Sequence, residues 1–174
     1  MARPKSSRPK GFLSQYGEQL RAKQLAKEIY GLRERQFSRF FKQASKSAQK
    51  GEKLLELLER RIDNAVYRLS WANSRPEARQ LVSHGHIKLN DKKAKSPSLL
   101  VGIGDKIKVD KPEIIKKKMS EPTKGQKSSE DKREAPGWLK SVKSLFEAEV
   151  VKLPSREDAP AEIDENLIVE FYSR

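Results

Sequence analysis

The feature that most narrows the fold is a change of hydrophobic period part-way along the chain. Leu54, Leu55, Leu58, Ile62, Ala65, Val66 and Leu69 recur at helical spacing and form one apolar stripe. After Gly85 the spacing drops to two: Ile87-Lys88-Leu89 alternates, and Lys106-Ile107-Lys108-Val109 alternates again. A chain helical first and stranded second folds as α+β. The stripe predicts one long helix, with Gly51 as the punctuation before it. Ser74-Arg75-Pro76-Glu77 starts a second helix: a hydroxyl serves an orphan N–H, a Glu three residues later reaches back, and proline fits the first turn. Ala78, Leu81 and Val82 bury that helix, and Gly85 ends it in a left-handed conformation. Asn90-Asp91 makes a tight turn, Leu99 to Val101 reads as a short apolar strand, and Gly102 to Asp105 as another turn. Two helices against a small, curved, mainly antiparallel sheet are therefore expected.

Charge decides what such a unit meets. The chain has 174 residues, with 38 Lys and Arg against 24 Asp and Glu, a net of +14. Such an excess repels itself and attracts polyanions. It is uneven: residues 1–50 carry 13 basic and 3 acidic side chains, 51–118 carry 16 and 9, and 119–174 carry 9 and 12. A polyanion should lie against the first two thirds. No apolar stretch is long enough for a membrane span, and no apolar region of a secretory signal follows the basic start. The absence of cysteine excludes disulfides, thiol catalysis and cysteine-ligated zinc. The expectation is an intracellular polyanion binder without cofactor, small-molecule substrate or membrane.

Residues 1–12, with Arg3, Lys5, Arg8 and Lys10 among prolines and glycine, read as a flexible basic arm. From Arg35 to Lys50 the sequence splits at helical spacing. Phe37, Phe40, Phe41, Ala44 and Ala48 fall on one side, and Arg35, Arg39, Lys42, Lys46 and Lys50 on the other. Five cations on one face repel one another, and a phosphate backbone would offset that cost through counterion release. A plain solvated face is the alternative, and a membrane-surface helix is a third, though two alanines in the apolar face suit helix packing better than lipid. Ser14 to Gly31 supplies the partner helix, with Tyr16, Leu20, Leu25 and Ile29 apolar and Arg21, Lys23 and Lys27 cationic.

Further cations belong to the central module. Arg61 and Arg68, with Asn64, edge the leucine stripe; Arg75 and Arg79, four apart, project side by side; Lys88, Lys92 and Lys93 surround the hairpin. All are candidate polyanion contacts. His84 and His86 lack a third ligand for a metal, so contact with the polyanion or a place at the helix end suits them better. Glu162, Asp164 and Glu165 read as the start of a helix rather than a catalytic or metal cluster. Trp138, Leu139, Val142, Leu145, Phe146, Val150 and Val151 form a second apolar patch, expected to pack on Leu167, Val169 and Phe171, with base stacking by Trp138 as the alternative.

Arg61-Ile62-Asp63-Asn64, the run from Ser74 to Asn90 and Gly104 to Val109 resemble the S4 RNA-binding module. Tyr16 to Gln24, Ile29-Tyr30-Gly31, Glu34 to Phe37 and Ile163 to Arg174 are similar to the small-subunit ribosomal protein family that carries it. The resemblance implies three regions: the arm, a helical rRNA-binding part at 13–59 with 110–174 packing back on it through a linker near 116–137, and the module at 60–109. It implies direct binding to 16S-type rRNA, early assembly of the subunit body, a place beside the path by which mRNA enters, a part in translational accuracy, neighbours that include the S5 family protein, and the cytoplasm. The family's N-terminal region is usually longer and often carries cysteines, and its hairpin usually reads Asn-Gly. Two other readings use the same module. An RNA-modifying enzyme would need a catalytic domain, for which 65 residues beyond the module are too few; a stress factor of the large subunit would lack the helical residues before Arg60.

Overall fold

The computed structural model describes residues 14–113, 115, 135–142 and 146–174. The basic arm and most of the linker lie outside these, as do Arg3, Lys5, Arg8, Lys10 and Leu145. Two hydrophobic cores organise the described chain.

The first core belongs to helices α1 (Gln15–Ile29), α2 (Glu34–Ala44), α3 (Lys50–Glu59) and α6 (Glu165–Tyr172). Phe37, Phe40, Phe41 and Ala44 of α2 are buried against Leu54, Leu55, Leu57 and Leu58 of α3, and Ile168 of α6 closes the core. Tyr172 stacks on Phe41 with ring centroids 4.2 Å apart. Asp164 caps α6 by accepting from the Asn166 and Leu167 amides, which gives the acidic run near residue 164 a helix-starting role. Gly51 lies inside α3 rather than before it: a Cβ there would sit 2.7 Å from Glu165 Cγ, so glycine permits the close approach of α6.

The second core is the module. α4 (Ile62–Arg68) and α5 (Arg75–Ser83) pack on an antiparallel sheet of order β2-β1-β3-β5-β4. Its strands are β1 (Ile87–Leu89), β2 (Lys92–Lys93), β3 (Lys106–Val109), β4 (Leu139–Ser141) and β5 (Glu147–Val150). Ile87, Ile107, Val109, Ala148 and Val150 turn inward, and the lysines and glutamates between them turn out. Ser74 Oγ accepts from the Glu77 amide as expected, while Glu77 Oε2 accepts from the Asn73 amide, one residue before the cap. Gly85, at φ +72°, lets the Gly85 and His86 amides reach the Val82 and Leu81 carbonyls and close α5. Asn90 and Asp91 both take left-handed φ, 50° and 64°, in the hairpin turn.

The expected elements are corrected in five places. The single long helix is two, α3 and α4, because Arg61 leaves helical conformation (ψ 137°) and pairs with Leu100 in an isolated bridge; Leu99 to Val101 is accordingly no sheet strand. The helix over Arg35 to Lys50 stops at Ala44, so Lys46 lies in a turn, Ala48 is exposed, and Lys50 begins α3. The buried face of α1 is Gln19, Ala22, Lys23 and Ala26, leaving Tyr16 exposed and Leu20, Leu25 and Ile29 half-buried. Trp138, Leu139, Phe146 and Val150 join the module core, not the tail: Glu147-Ala148-Glu149-Val150 alternates with period two and pairs with the open edge of β3. Trp138 is wholly buried, which removes it as a base-stacking platform.

Candidate nucleic-acid interface

The candidate cations fall into an exposed set and a wired set. On α2, Arg35, Arg39 and Lys42 are spaced four and three apart and share a face opposite the phenylalanines. All three are exposed, as are Lys46 and Lys50 beyond them, and none makes an ion pair among the described residues. Arg21 on α1 is exposed likewise. Lys92 is exposed and makes no ion pair among the described residues, whereas Lys88 and Lys93 both bridge to Asp110, whose carboxyl they hold below the usual aspartate range.

Lys23 and Lys27 turn away from that role. Lys23, 6% exposed, donates to Glu34 Oε1 at 3.1 Å and lies 4.3 Å from the Phe171 ring centroid. Lys27 reaches Glu34 Oε2 at 2.7 Å. Burial works to raise the Glu34 carboxyl, but hydrogen bonds from Lys27 and Lys23 outweigh it and hold it below the ordinary range. Both lysines clamp α1 to α2.

The arginines of the module meet at the seam between the two cores. Glu59, fully buried, accepts from the Tyr30 hydroxyl at 2.7 Å, from Asn64 Nδ2 at 2.8 Å and from Arg68 Nε and Nη2 at 3.0 and 2.9 Å. Burial first, then the Glu59 charge, pushes the Tyr30 phenol well above its usual value, so it remains a donor at neutral pH. Arg68 loses to burial, yet Glu59 more than restores it and keeps its charge secure. Asp63 accepts from Arg61 Nε and Nη2 at 3.0 and 2.7 Å and from Arg79 Nε and Nη2, both at 3.1 Å. Arg79 also donates to the carbonyls of Gly31 and Tyr30, tying α5 to the end of α1.

Two expected contacts are therefore corrected. Arg61 and Asn64, each 2% exposed, face the interior; the first neutralises Asp63 beside the Phe40 ring, and the second bridges Glu59 to Arg75. Arg68 and Arg79 are half-buried, with most of their donors committed inside the chain. Arg75 differs. Its Nε donates to Asn64 Oδ1 at 3.0 Å, its guanidinium lies 4.4 Å from the Tyr67 ring centroid and 5.1 Å from that of Tyr30, and no carboxylate among the described residues bonds it. Four guanidinium groups share two carboxylates here, so the seam carries excess positive charge. His84 is exposed at the end of α5, with its ring centroid 6.0 Å from that of half-buried His86. The sequence reading missed Glu59, Asp63, Tyr30 and Tyr67. The signal available was an acid at 59 in register with the leucine stripe, where only a paired carboxylate is tolerated.

Residues 60–107 match the family model of the S4 domain, and residues 3–59 that of the ribosomal protein S4/S9 N-terminal domain. The small ribosomal subunit protein uS4 of Thermoanaerobacter sp. (strain X514) is 50% identical over 167 residues, covering 93% of this chain and 76% of its own. This chain belongs to the uS4 family. The uS4 proteins of Chloroflexus aurantiacus (strain ATCC 29366 / DSM 635 / J-10-fl) and Dictyoglomus thermophilum are 50% and 46% identical, again over 93% of this chain and over 78% and 76% of theirs. The chain thus spans about three quarters of the length of these uS4 relatives. Membership makes it a small-subunit ribosomal protein with an RNA-binding S4 domain, a structural component rather than an enzyme.

Proposed function

We propose that this uS4 protein binds 16S-type rRNA directly, with Arg35, Arg39, Lys42, Lys46 and Lys50 as the principal phosphate contacts. The observation that carries this reading is that these five cations are exposed and unpaired among the described residues of a chain that pairs many of its other cations internally. Mutual repulsion along α2 meets no compensating ion pair among the described residues, and a phosphate backbone supplies one. Arg21, Arg75, His84, His86, Lys88, Lys92 and Lys93 extend the interface, and Arg3, Lys5, Arg8 and Lys10 lie outside the described residues. Bound in this way, the protein nucleates assembly of the subunit body, stands in the cytoplasmic ribosome beside the S5 family protein and the path by which mRNA enters, and contributes to translational accuracy. Recognition is of RNA shape and phosphate, so log K should fall by ~0.7 to 0.9 per contacted phosphate as log salt rises. Binding to a 16S rRNA transcript that stays flat between low and physiological salt overturns the reading.

A further inference from the structure

We infer that Tyr67, with Tyr30 and Asn64, is a positioning group that holds the two terminal amino groups of Arg75 outward for a bidentate acceptor on RNA. The inference rests on the rRNA-binding reading above and names one of its anchors. Of the four seam arginines, Arg61, Arg68 and Arg79 each bond a carboxylate, whereas among the described residues the Arg75 side chain bonds only the Asn64 amide oxygen, through Nε. Its Nη1 and Nη2 make no hydrogen bond among the described residues, and neither is a sealed-off buried atom. A guanidinium left with two free donors on a half-buried stem has lost part of its hydration without gaining a carboxylate hydrogen bond in exchange. The rings of Tyr67 and Tyr30, at 4.4 and 5.1 Å, restrict where its plane can lie, and Asn64 fixes its inner edge. Asn64 is itself held by Glu59 Oε2 and the Glu59 carbonyl, so the orientation is set from the core outward. A planar fork fixed in this manner matches two acceptor oxygens of a phosphate, or the O6 and N7 of a guanine edge.

The test is a double-mutant cycle in the full chain, read as affinity for a 16S rRNA transcript at several salt concentrations. Arg75→Ala should weaken binding about tenfold or more, two lost charge-assisted bonds being able to account for that. Tyr67→Leu keeps an apolar side chain against the module core, and should weaken binding roughly three- to tenfold in the parent, in line with a half-buried cation–π contact. In the Arg75→Ala background it should change affinity by less than about twofold, since a positioning group has nothing left to position. Tyr67→Phe keeps the ring against Arg75 and should lose less affinity than Tyr67→Leu. A smaller salt slope in Arg75→Ala identifies the acceptor as phosphate, and an unchanged slope with relaxed base preference identifies it as guanine; both support the assignment. Tyr67→Leu losses that are equal in the two backgrounds overturn the positioning role while sparing Arg75 as a contact. Unchanged binding by Arg75→Ala overturns both, and leaves the α2 cations to be judged on their own variants.

Discussion

The cations of α2 and the arginines of the seam are the same chemistry put to opposite uses. Arg35, Arg39 and Lys42 are exposed and without ion-pair partners among the described residues, while Arg61, Arg68 and Arg79 are spent on Asp63 and Glu59. Positive charge in a sequence therefore does not by itself mark an RNA contact. What separates the two sets is whether an acid occupies a core-facing register nearby, as Glu59 does in the leucine stripe and no residue does on the outer face of α2. The seam set holds the two cores together, and the α2 set is left for a partner.

Breaking the seam should have the largest effect. Arg68→Ala leaves Glu59 buried with half its donors gone, and should cost about 3 to 5 kcal/mol of stability in urea unfolding. A loss below about 1 kcal/mol would show that the pair does not anchor the seam. The converse variant, Arg35→Ala with Arg39→Ala and Lys42→Ala, should leave stability within about 0.5 kcal/mol per site. It should lower the salt slope of RNA binding by ~2 to 3, the share of three phosphates. If instead the triple variant unfolds and still binds at full strength when folded, the two sets have been assigned the wrong way round. Ser74→Ala, which removes the cap of α5 at the edge of the seam, should cost about 1 kcal/mol, measurable as a shift of the urea midpoint. Asp91→Gly should raise stability by a few tenths of a kcal/mol, relief of the left-handed position outweighing the added chain entropy.

The smallest effect is one of pH. The Glu34 carboxyl lies below its ordinary value of 4.5 when folded, so the clamp with Lys27 and Lys23 stabilises at pH above that value and is lost as pH falls through the depressed one. The stability gap between the parent and Glu34→Gln should close over that window, and a gap constant from about pH 6 to pH 3 would remove Glu34 from the clamp.

Much of the fold was legible because local signals agreed with the tertiary outcome. The Ser74 cap, the Gly85 stop, the Asn90-Asp91 turn and the alternation of Lys106 to Val109 each dictate backbone shape without help from distant residues. The failures share the opposite property. The break at Arg61 depends on Leu100, nearly forty residues away, and the placing of Trp138 depends on β5 finding the edge of β3. The inward turn of Lys23 depends on Glu34 and Phe171, which no spacing rule on α1 foretells. For the site, residue type and exposure on α2 could be read from period alone, whereas the seam required knowing which carboxylate each guanidinium would meet.

Arg79 grips the carbonyls at the end of α1 with one edge and Asp63 with another, so the helical half and the module cannot swing independently without breaking that grasp. For an RNA already docked on one half, the other half is a tethered ligand at high effective concentration rather than a second diffusing one. The avidity gained by this stiffness would be forfeited by a slack hinge, even with every contact residue intact.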